Sequence, residues 1–243
     1  MLSTYKAGKL IILSLVNGQV TQLPRTFNKP MGMALSGKRM AVATKEEVIV
    51  LGNSSSLAQH YPKAPGRYDS LWMPRATYYN GETDTHDMAW GEDGLWSVNT
   101  RFSCLALVDD SFSFRPAWAP PFITQLLPED RCHLNGMALQ DGKPKYVTLL
   151  GKSDTAKGWR PHKHGGGLLM DVSSNEIVTG GLSMPHSPRI IDGQLYVCNS
   201  GEGEILKIDQ ESGAATTLAK LPGFLRGLSS LGDYLVVGMS LLR

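Results

Sequence analysis

Apolar residues come in short runs along this chain, each bounded by Gly, Asn, Asp or Ser, and few stretches look helical. Five stretches share one order: "GMALSGKRMAVATKEEVIVLG" from Gly32, "DMAWGEDGLWSVNTRFSCLALVD" from Asp87, "GMALQDGKPKYVTLLG" from Gly136, "PRIIDGQLYVCNSGEGEILKID" from Pro188 and "GLSSLGDYLVVGMSLLR" from Gly227. Each opens with a short apolar strand and continues through a Gly-containing turn at Gly37, Gly94, Gly142, Gly193 or Gly232. A β-branched or aromatic run follows, such as "RMAVAT" or "LYVCNS". Three units add a further hairpin partner: "EVIVLG", "CLALVD" and "EILKID". Short strands bounded by such turns are the signature of hairpins.

The unit starts lie 55, 49, 52 and 39 residues apart. Four-stranded propeller blades recur at about 40–50 residues, and loop insertions account for the excess. A lone blade cannot bury both faces, whereas blades stacked around an axis can, with only short edges left open. The expectation is an all-β fold: a β-propeller of four-stranded antiparallel blades, about five of them, in one domain over residues 1–243. A β-sandwich with coincidental hairpins is the competing reading. The repeated "GMAL" then marks entry to innermost strands, where Gly32, Ala34, Gly136 and Ala138 let backbones converge. Residues 1–24 read as part of an incomplete blade, since "LSTYKAGKLIIL" lines up with "CNSGEGEILKI". Two closures stay open: a five-bladed ring with a spare strand, or a piece of a six-bladed ring.

With 243 residues, 42% of them hydrophobic, the chain can bury a sizeable core. A net charge of +2 and no densely basic stretch argue against a nucleic-acid partner. No run is long enough to span a membrane and no signal peptide is read, so no membrane partner is expected. Cys104, Cys132 and Cys198 are odd in number and widely spaced, which argues against a disulfide framework and fits a cytoplasmic protein.

In a propeller, the residue before each innermost strand lies at one mouth of the central channel. Those positions are Met31, His86, Asn135, Ser187 and Arg226, with Asp84, Asp87, His133, His186 and Arg189 beside them. The candidate ligand-binding set is His86, Asp87, His133, Asn135, His186, Arg189 and Arg226, scattered in sequence and expected to converge in space. His86, Asn135 and Arg226 are expected to face one shared cavity, with His133 and His186 at its rim. Imidazole is a common metal ligand, so His86, His133 and His186 are candidates for a divalent metal ion. The long polar loop "GKSDTAKGWRPHKHGGG" (151–167), read as joining two blades, is a candidate lid or binding loop, with a passive insertion as its alternative. Trp118 and Phe122 are expected to pack between blades. No P-loop, dinucleotide fingerprint or nucleophile elbow is present.

The series "LSTYKAGKLIIL", "PMGMAL", "HDMAWGEDGLWSVNTRFSCLA", "HLNGMAL" and "CNSGEGEI" resembles an uncharacterised bacterial β-propeller family of conserved hypothetical proteins, over essentially the whole chain. It is more distantly similar to gluconolactonase-type and strictosidine-synthase-type six-bladed propellers. Members of the nearer family usually continue past the point where this chain stops. The resemblance implies a propeller and transfers no catalytic residue. Two functions follow as expectations. One is a metal-assisted small-molecule enzyme, hydrolase- or lactonase-like by analogy only. The other is a non-catalytic scaffold that holds a small-molecule, peptide or protein ligand.

Overall fold

The computed structural model describes residues 1–241. The last two residues of the fifth unit, "GLSSLGDYLVVGMSLLR", lie outside the described residues. Four successive antiparallel sheets have four strands each. They are β4–β7 (Met33–Ser36, Arg39–Ala43, Glu47–Asn53, Trp72–Tyr79) and β8–β11 (Thr85–Gly91, Gly94–Asn99, Cys104–Leu107, Arg115–Trp118). The next two are β12–β15 (Leu134–Gln140, Lys143–Leu149, Gly167–Asp171, Ile177–Leu182) and β16–β19 (Pro185–Ile191, Gln194–Asn199, Glu204–Ile208, Ala215–Lys220). A three-stranded sheet, β1–β3 (Leu2–Thr4, Lys9–Val16, Gln19–Thr26), precedes them, and a two-stranded sheet, β20–β21 (Phe224–Leu231, Tyr234–Ser240), follows. The innermost strands β4, β8, β12, β16 and β20 lie against one another in that order. The architecture is a β-propeller.

The core lies between blades because each sheet must cover both faces. Trp96, Val98, Leu105 and Leu107 of one blade pack on Leu134, Met137, Val147 and Leu149 of the next. Leu169 and Tyr146 then meet Leu195, Val197 and Ile208. Strand β9, covered on both sides, is buried at every residue from Leu95 to Asn99. Strand β21 is covered on one side only: Leu235 and Val237 pack inward while Tyr234 and Val236 are exposed. Trp118 and Phe122 pack against the first of these clusters, as expected. The three cysteines are buried and free. Among the described residues no helix is long and apolar enough to cross a membrane.

Sequence reading placed the inner strands two or three residues too late in four blades. Strands β8, β12, β16 and β20 begin at Thr85, Leu134, Pro185 and Phe224. The reason is a register shift in each: between Thr85 and Met88, Leu134 and Gly136, His186 and Arg189, and Arg226 and Leu228. A β-bulge leaves residues unpaired inside a strand and re-aims their side chains. The polar candidates His86, Asp87, Asn135 and Ser187 therefore sit within strands, at the bulges. A second correction concerns residues 151–167. They join β13 to β14 within one blade and contain the 3-10 turn Arg160–His162. The segment 53–71 also holds a five-residue helix, Ser55–Gln59, that the strand pattern did not show.

Candidate functional site

The positions two residues ahead of Met31, His86 and Asn135 carry a left-handed backbone without glycine, Lys29 (φ 50°), Asp84 (φ 51°) and His133 (φ 52°), as does Met184 (φ 46°) at the entry to β16. They are equivalent in the repeat. Non-glycine residues tolerate this region at a cost, and Asp and His do so more readily than most. Lys29 and Asp84 line a cavity of about 330 Å³. His133 lies close behind, near enough to Asp84 to act on its charge.

The cavity wall is built from two kinds of loop. Lys29, Glu82, Asp84, Glu129 and Asp130 come from connections between blades, Lys45, Arg101, Lys157 and Arg160 from turns between the second and third strands of a blade, and Tyr5 from the β1–β2 turn. Several charges are spent on each other. Glu82 takes Lys45 at 2.6 Å and Arg101 at 2.7 Å. Glu129 takes Arg131 at 2.8 Å. Among the described residues Lys29, Lys157 and Arg160 have no carboxylate within 4.0 Å. Sequence reading singled out the loop that carries Lys157 and Arg160 as a candidate binding loop and did not single out Lys29. Lys29 lies in the connection "FNKPMG" between blades, and Lys157 and Arg160 lie in the strand-joining loop "GKSDTAKGWR".

The loop 151–167 is an ordered part of this wall. Asp154 binds Arg131 at 2.7 Å and accepts from the Thr124 hydroxyl at 2.6 Å. Lys157 N–H donates to the Glu129 carbonyl. Trp159 Nε1 donates to Asp130 Oδ2 at 3.1 Å, and its ring stacks 4.4 Å from His133.

The histidines lie beneath the cavity, and each has a carbonyl or carboxylate at Nδ1. His86 Nδ1 is 2.8 Å from the Asp84 carbonyl and 2.8 Å from Thr100 Oγ1, whose proton goes to the Leu134 carbonyl. His133 Nδ1 is 2.9 Å from Asp130 Oδ1. His186 Nδ1 is 2.8 Å from the Met184 carbonyl. Carbonyls and ionised carboxylates only accept, so each ring carries a hydrogen on Nδ1 and turns its Nε2 away from that contact. At His186 that nitrogen accepts from Arg226 Nη2 at 3.2 Å. The rings of His86 and His133 meet edge to face at 4.8 Å.

The other candidates are placed differently. Asp87 and Arg189 form a two-pronged ion pair at 2.8 and 2.9 Å. The Asp87 carboxylate also accepts the N–H groups of Met88 and Met137, and Arg189 donates to the carbonyls of Met137 and Pro188. This pair clamps three inner strands and has little capacity left for a ligand. Asn135 is buried; its Oδ1 accepts from Thr148, and among the described residues its Nδ2 has no partner. Ser187 Oγ accepts from Gly227 N–H, which fixes it as structural. His86, Asn135 and Arg226 are not on the wall of the mouth cavity, contrary to the sequence-based expectation. Bulges hold His86 and Asn135 within the inner strands, while Arg226 is half-buried and turned to His186 Nε2. Nor do His86, His133 and His186 form a metal centre: among the described residues no three His, Cys, Asp or Glu side chains gather closely enough to hold one ion. Their Nε2 atoms diverge in partnership, one going to Arg226.

Burial holds the His86 imidazole well below its ordinary value of 6.5, and His133 and Arg226 add to that. Burial raises the Asp84 carboxyl above 3.8, with His133 opposing and Asp130 assisting. For His86 the unfolded chain binds a proton that the folded one refuses. Its contribution is therefore complete above about pH 6.5 and is lost as pH falls toward the folded value. The limiting slope is about 1.4 kcal/mol per pH unit. Denaturation curves at pH 7.5, 6.5 and 5.5 should show this decline, and His86→Asn, which keeps a donor at the Nδ1 position, should flatten it. Asp84 acts in the opposite sense, and its contribution is lost as pH rises above 3.8. An unchanged decline in His86→Asn would show that another group is responsible.

Searches by sequence found no matching curated protein. Solved structures share the fold at low identity. An oxidoreductase of Thermus thermophilus described as a glucose dehydrogenase aligns at TM-score 0.59 and 13% identity, over 93% of this chain and 84% of its own. A Bacteroides uniformis protein described as a 6-phosphogluconolactonase aligns at 0.54 and 12%, over 98% and 74%. Streptogramin B lyase aligns at 0.51 and 13%, over 92% of this chain, which spans 66% of the lyase. These likenesses establish the fold alone. The family described as Domain of unknown function (DUF4915) matches residues 1–243, and the chain belongs to it.

Proposed function

We propose that the channel mouth binds a small anionic molecule. The observation that supports this most is the set of Lys29, Lys157 and Arg160, three cations without a carboxylate partner among the described residues, around one cavity of about 330 Å³. That volume falls in the range of small-ligand pockets, roughly 300–1,000 Å³. Unpaired cations on a concave wall raise the local concentration of anions and supply charge-assisted hydrogen bonds. The neighbouring imidazoles add acceptors for hydroxyl groups. Two proteins of similar fold carry names that refer to glucose and to a phosphogluconolactone, so sugar acids and sugar phosphates are the first ligands to try.

A thermal-shift panel of phosphate, gluconate, 6-phosphogluconate and citrate tests the proposal. A ligand at a hundredfold excess over its dissociation constant stabilises the folded state by about 2.7 kcal/mol. The shift should shrink at high chloride, disappear in the Lys157→Ala/Arg160→Ala double variant, and persist in Lys207→Ala, a charge removed from β18. No shift with any probe, or equal shifts in all variants, would overturn it.

A further inference from the structure

We infer that Asp130 and His133 form the proton-accepting pair of the channel mouth. In this inference His133 Nε2 takes a proton from a bound ligand, and Asp130 holds the ring and offsets the resulting charge. The inference rests on the reading of the mouth as a small-molecule site.

The geometry separates His133 from the other two histidines. His186 has its Nε2 engaged by Arg226 at 3.2 Å and faces Phe224, with ring centroids 5.4 Å apart. His86 Nδ1 is hydrogen-bonded to neutral oxygens, those of the Asp84 carbonyl and Thr100, and the Asp84 carboxylate stands off at 3.9 Å. His133 alone has a carboxylate in hydrogen-bond contact there, with Asp130 Oδ1 at 2.9 Å and Oδ2 at 3.0 Å. A base whose second nitrogen is oriented by a carboxylate, itself oriented by a third group, is the arrangement that proton transfer requires. The third group is Trp159, whose indole N–H donates to Asp130 Oδ2.

The ring is also fixed by packing. Trp159 lies against it at 4.4 Å, tilted by 39°, and His86 meets it edge to face at 4.8 Å. Among the described residues no hydrogen-bond partner is found for His133 Nε2, and 12% of its side chain is exposed. The charged and titratable groups around it are Asp130 on its own loop, Asp84 and His86 from the β8 entry, and, beyond His86, Arg226 and His186. His86 is kept neutral by burial, so it does not compete for the proton.

The step balances simply. One X–H bond of the ligand breaks, where X is a hydroxyl oxygen or a carbon beside a carbonyl. One Nε2–H bond forms. The electron pair stays on the ligand, as an anion among the mouth cations, and the imidazolium remains paired with Asp130.

Two readouts test this in the intact protein, neither needing a known reaction. In ¹⁵N-labelled protein at pH 8, His133 should show N–H at Nδ1 and a bare Nε2. Asp130→Asn should give a mixture of tautomers, and Asp130→Glu should restore the native signature. Acylation by diethyl pyrocarbonate, mapped by mass spectrometry, should modify His133 Nε2 in native protein and slow about tenfold or more in Asp130→Asn. Exposed His60 serves as the internal standard and should react alike in both. Phosphate or gluconate should protect His133 and leave His60 unchanged. A His133 inert in native protein, or tautomer and acylation rate both unaffected by Asp130→Asn, would overturn the pair. Failure of the anions to protect, with the Asp130 effects intact, would instead remove the anion-site reading and leave the pair standing.

Discussion

Arg189→Ala should unfold at a markedly lower denaturant concentration than the native protein, with a loss of about 3–5 kcal/mol. The size follows from what the substitution strands. The Asp87 side chain is 10% exposed and receives both Arg189 prongs and two backbone N–H groups. Without the guanidinium, a carboxylate stays buried between the inner strands of three blades with half its donors gone. The carbonyls of Met137 and Pro188 lose their Arg189 donor as well. Breaking one side of a buried pair is costly for this reason, even where the intact pair adds little over an apolar replacement. Asp87→Asn should therefore hurt less in the Arg189→Ala background than in the native one, with a coupling on the order of 2 kcal/mol. Urea denaturation of the four proteins measures it. Additive losses would mean that the two side chains do not depend on each other.

Gly136→Ala should destabilise by about 1–3 kcal/mol, and Gly136→Val by more. A Cβ at Gly136 would lie 2.5 Å from Pro188 Cδ, 2.6 Å from Thr148 Oγ1 and 2.9 Å from the backbone nitrogen of Ser187. Two of those atoms belong to the next blade's inner strand, so relief requires the blades to part. Gly32→Ala is the milder case, with its nearest atoms, Asp87 N and Thr85 O, at 3.2 Å. Gly180→Ala is the control: its added carbon would meet only Leu168 Cδ2, at 3.5 Å. In a chain of this size 1 kcal/mol corresponds to roughly 2–4 °C in Tm. The expected order of Tm loss is Gly136, Gly32, Gly180. A Gly136→Ala protein that melts with the control would show that the inner strands can part at little cost.

The reason why "GMAL" occurs twice is thus partly visible in the sequence and partly not. Its repetition located two inner strands and suggested close approach. That Gly136 faces Pro188 and the Ser187 backbone follows from the packing of neighbouring blades. The same division holds at the mouth. The polar cluster His86, His133, His186 and Arg226 was legible, because blade repetition puts equivalent positions at one end of the channel. Its chemistry was not. The sequence suggests three metal ligands, whereas the folded chain gives each ring a different partner: the Asp84 carbonyl, the Asp130 carboxylate and the Met184 carbonyl. The first and third of those partners are backbone atoms, which no residue pattern displays.

Strand identity and turn positions depend on local chemistry. Apolar alternation and Gly-bearing turns act within a few residues, so the order "RMAVAT", "LWSVNT", "KYVTLL", "LYVCNS" pointed to repeated blades, while the choice against a sandwich came from the packing of those sheets around an axis. The bulges depend on pairing register with the next strand, and they decided that His86 and Asn135 lie beneath the cavity. Left-handed backbone at Lys29, Asp84 and His133 is imposed by how one blade enters the next, and it decided which side chains line or back the mouth. The ion pair between Asp87 and Arg189 spans 102 positions, and the loop bearing Trp159, between β13 and β14, folds back to Asp130 on the connection that leads into β12. Contacts of that range are set by the closing of sheets around an axis. Only the tertiary structure could therefore turn two expected ligand residues into a clamp and single out one histidine beside a carboxylate.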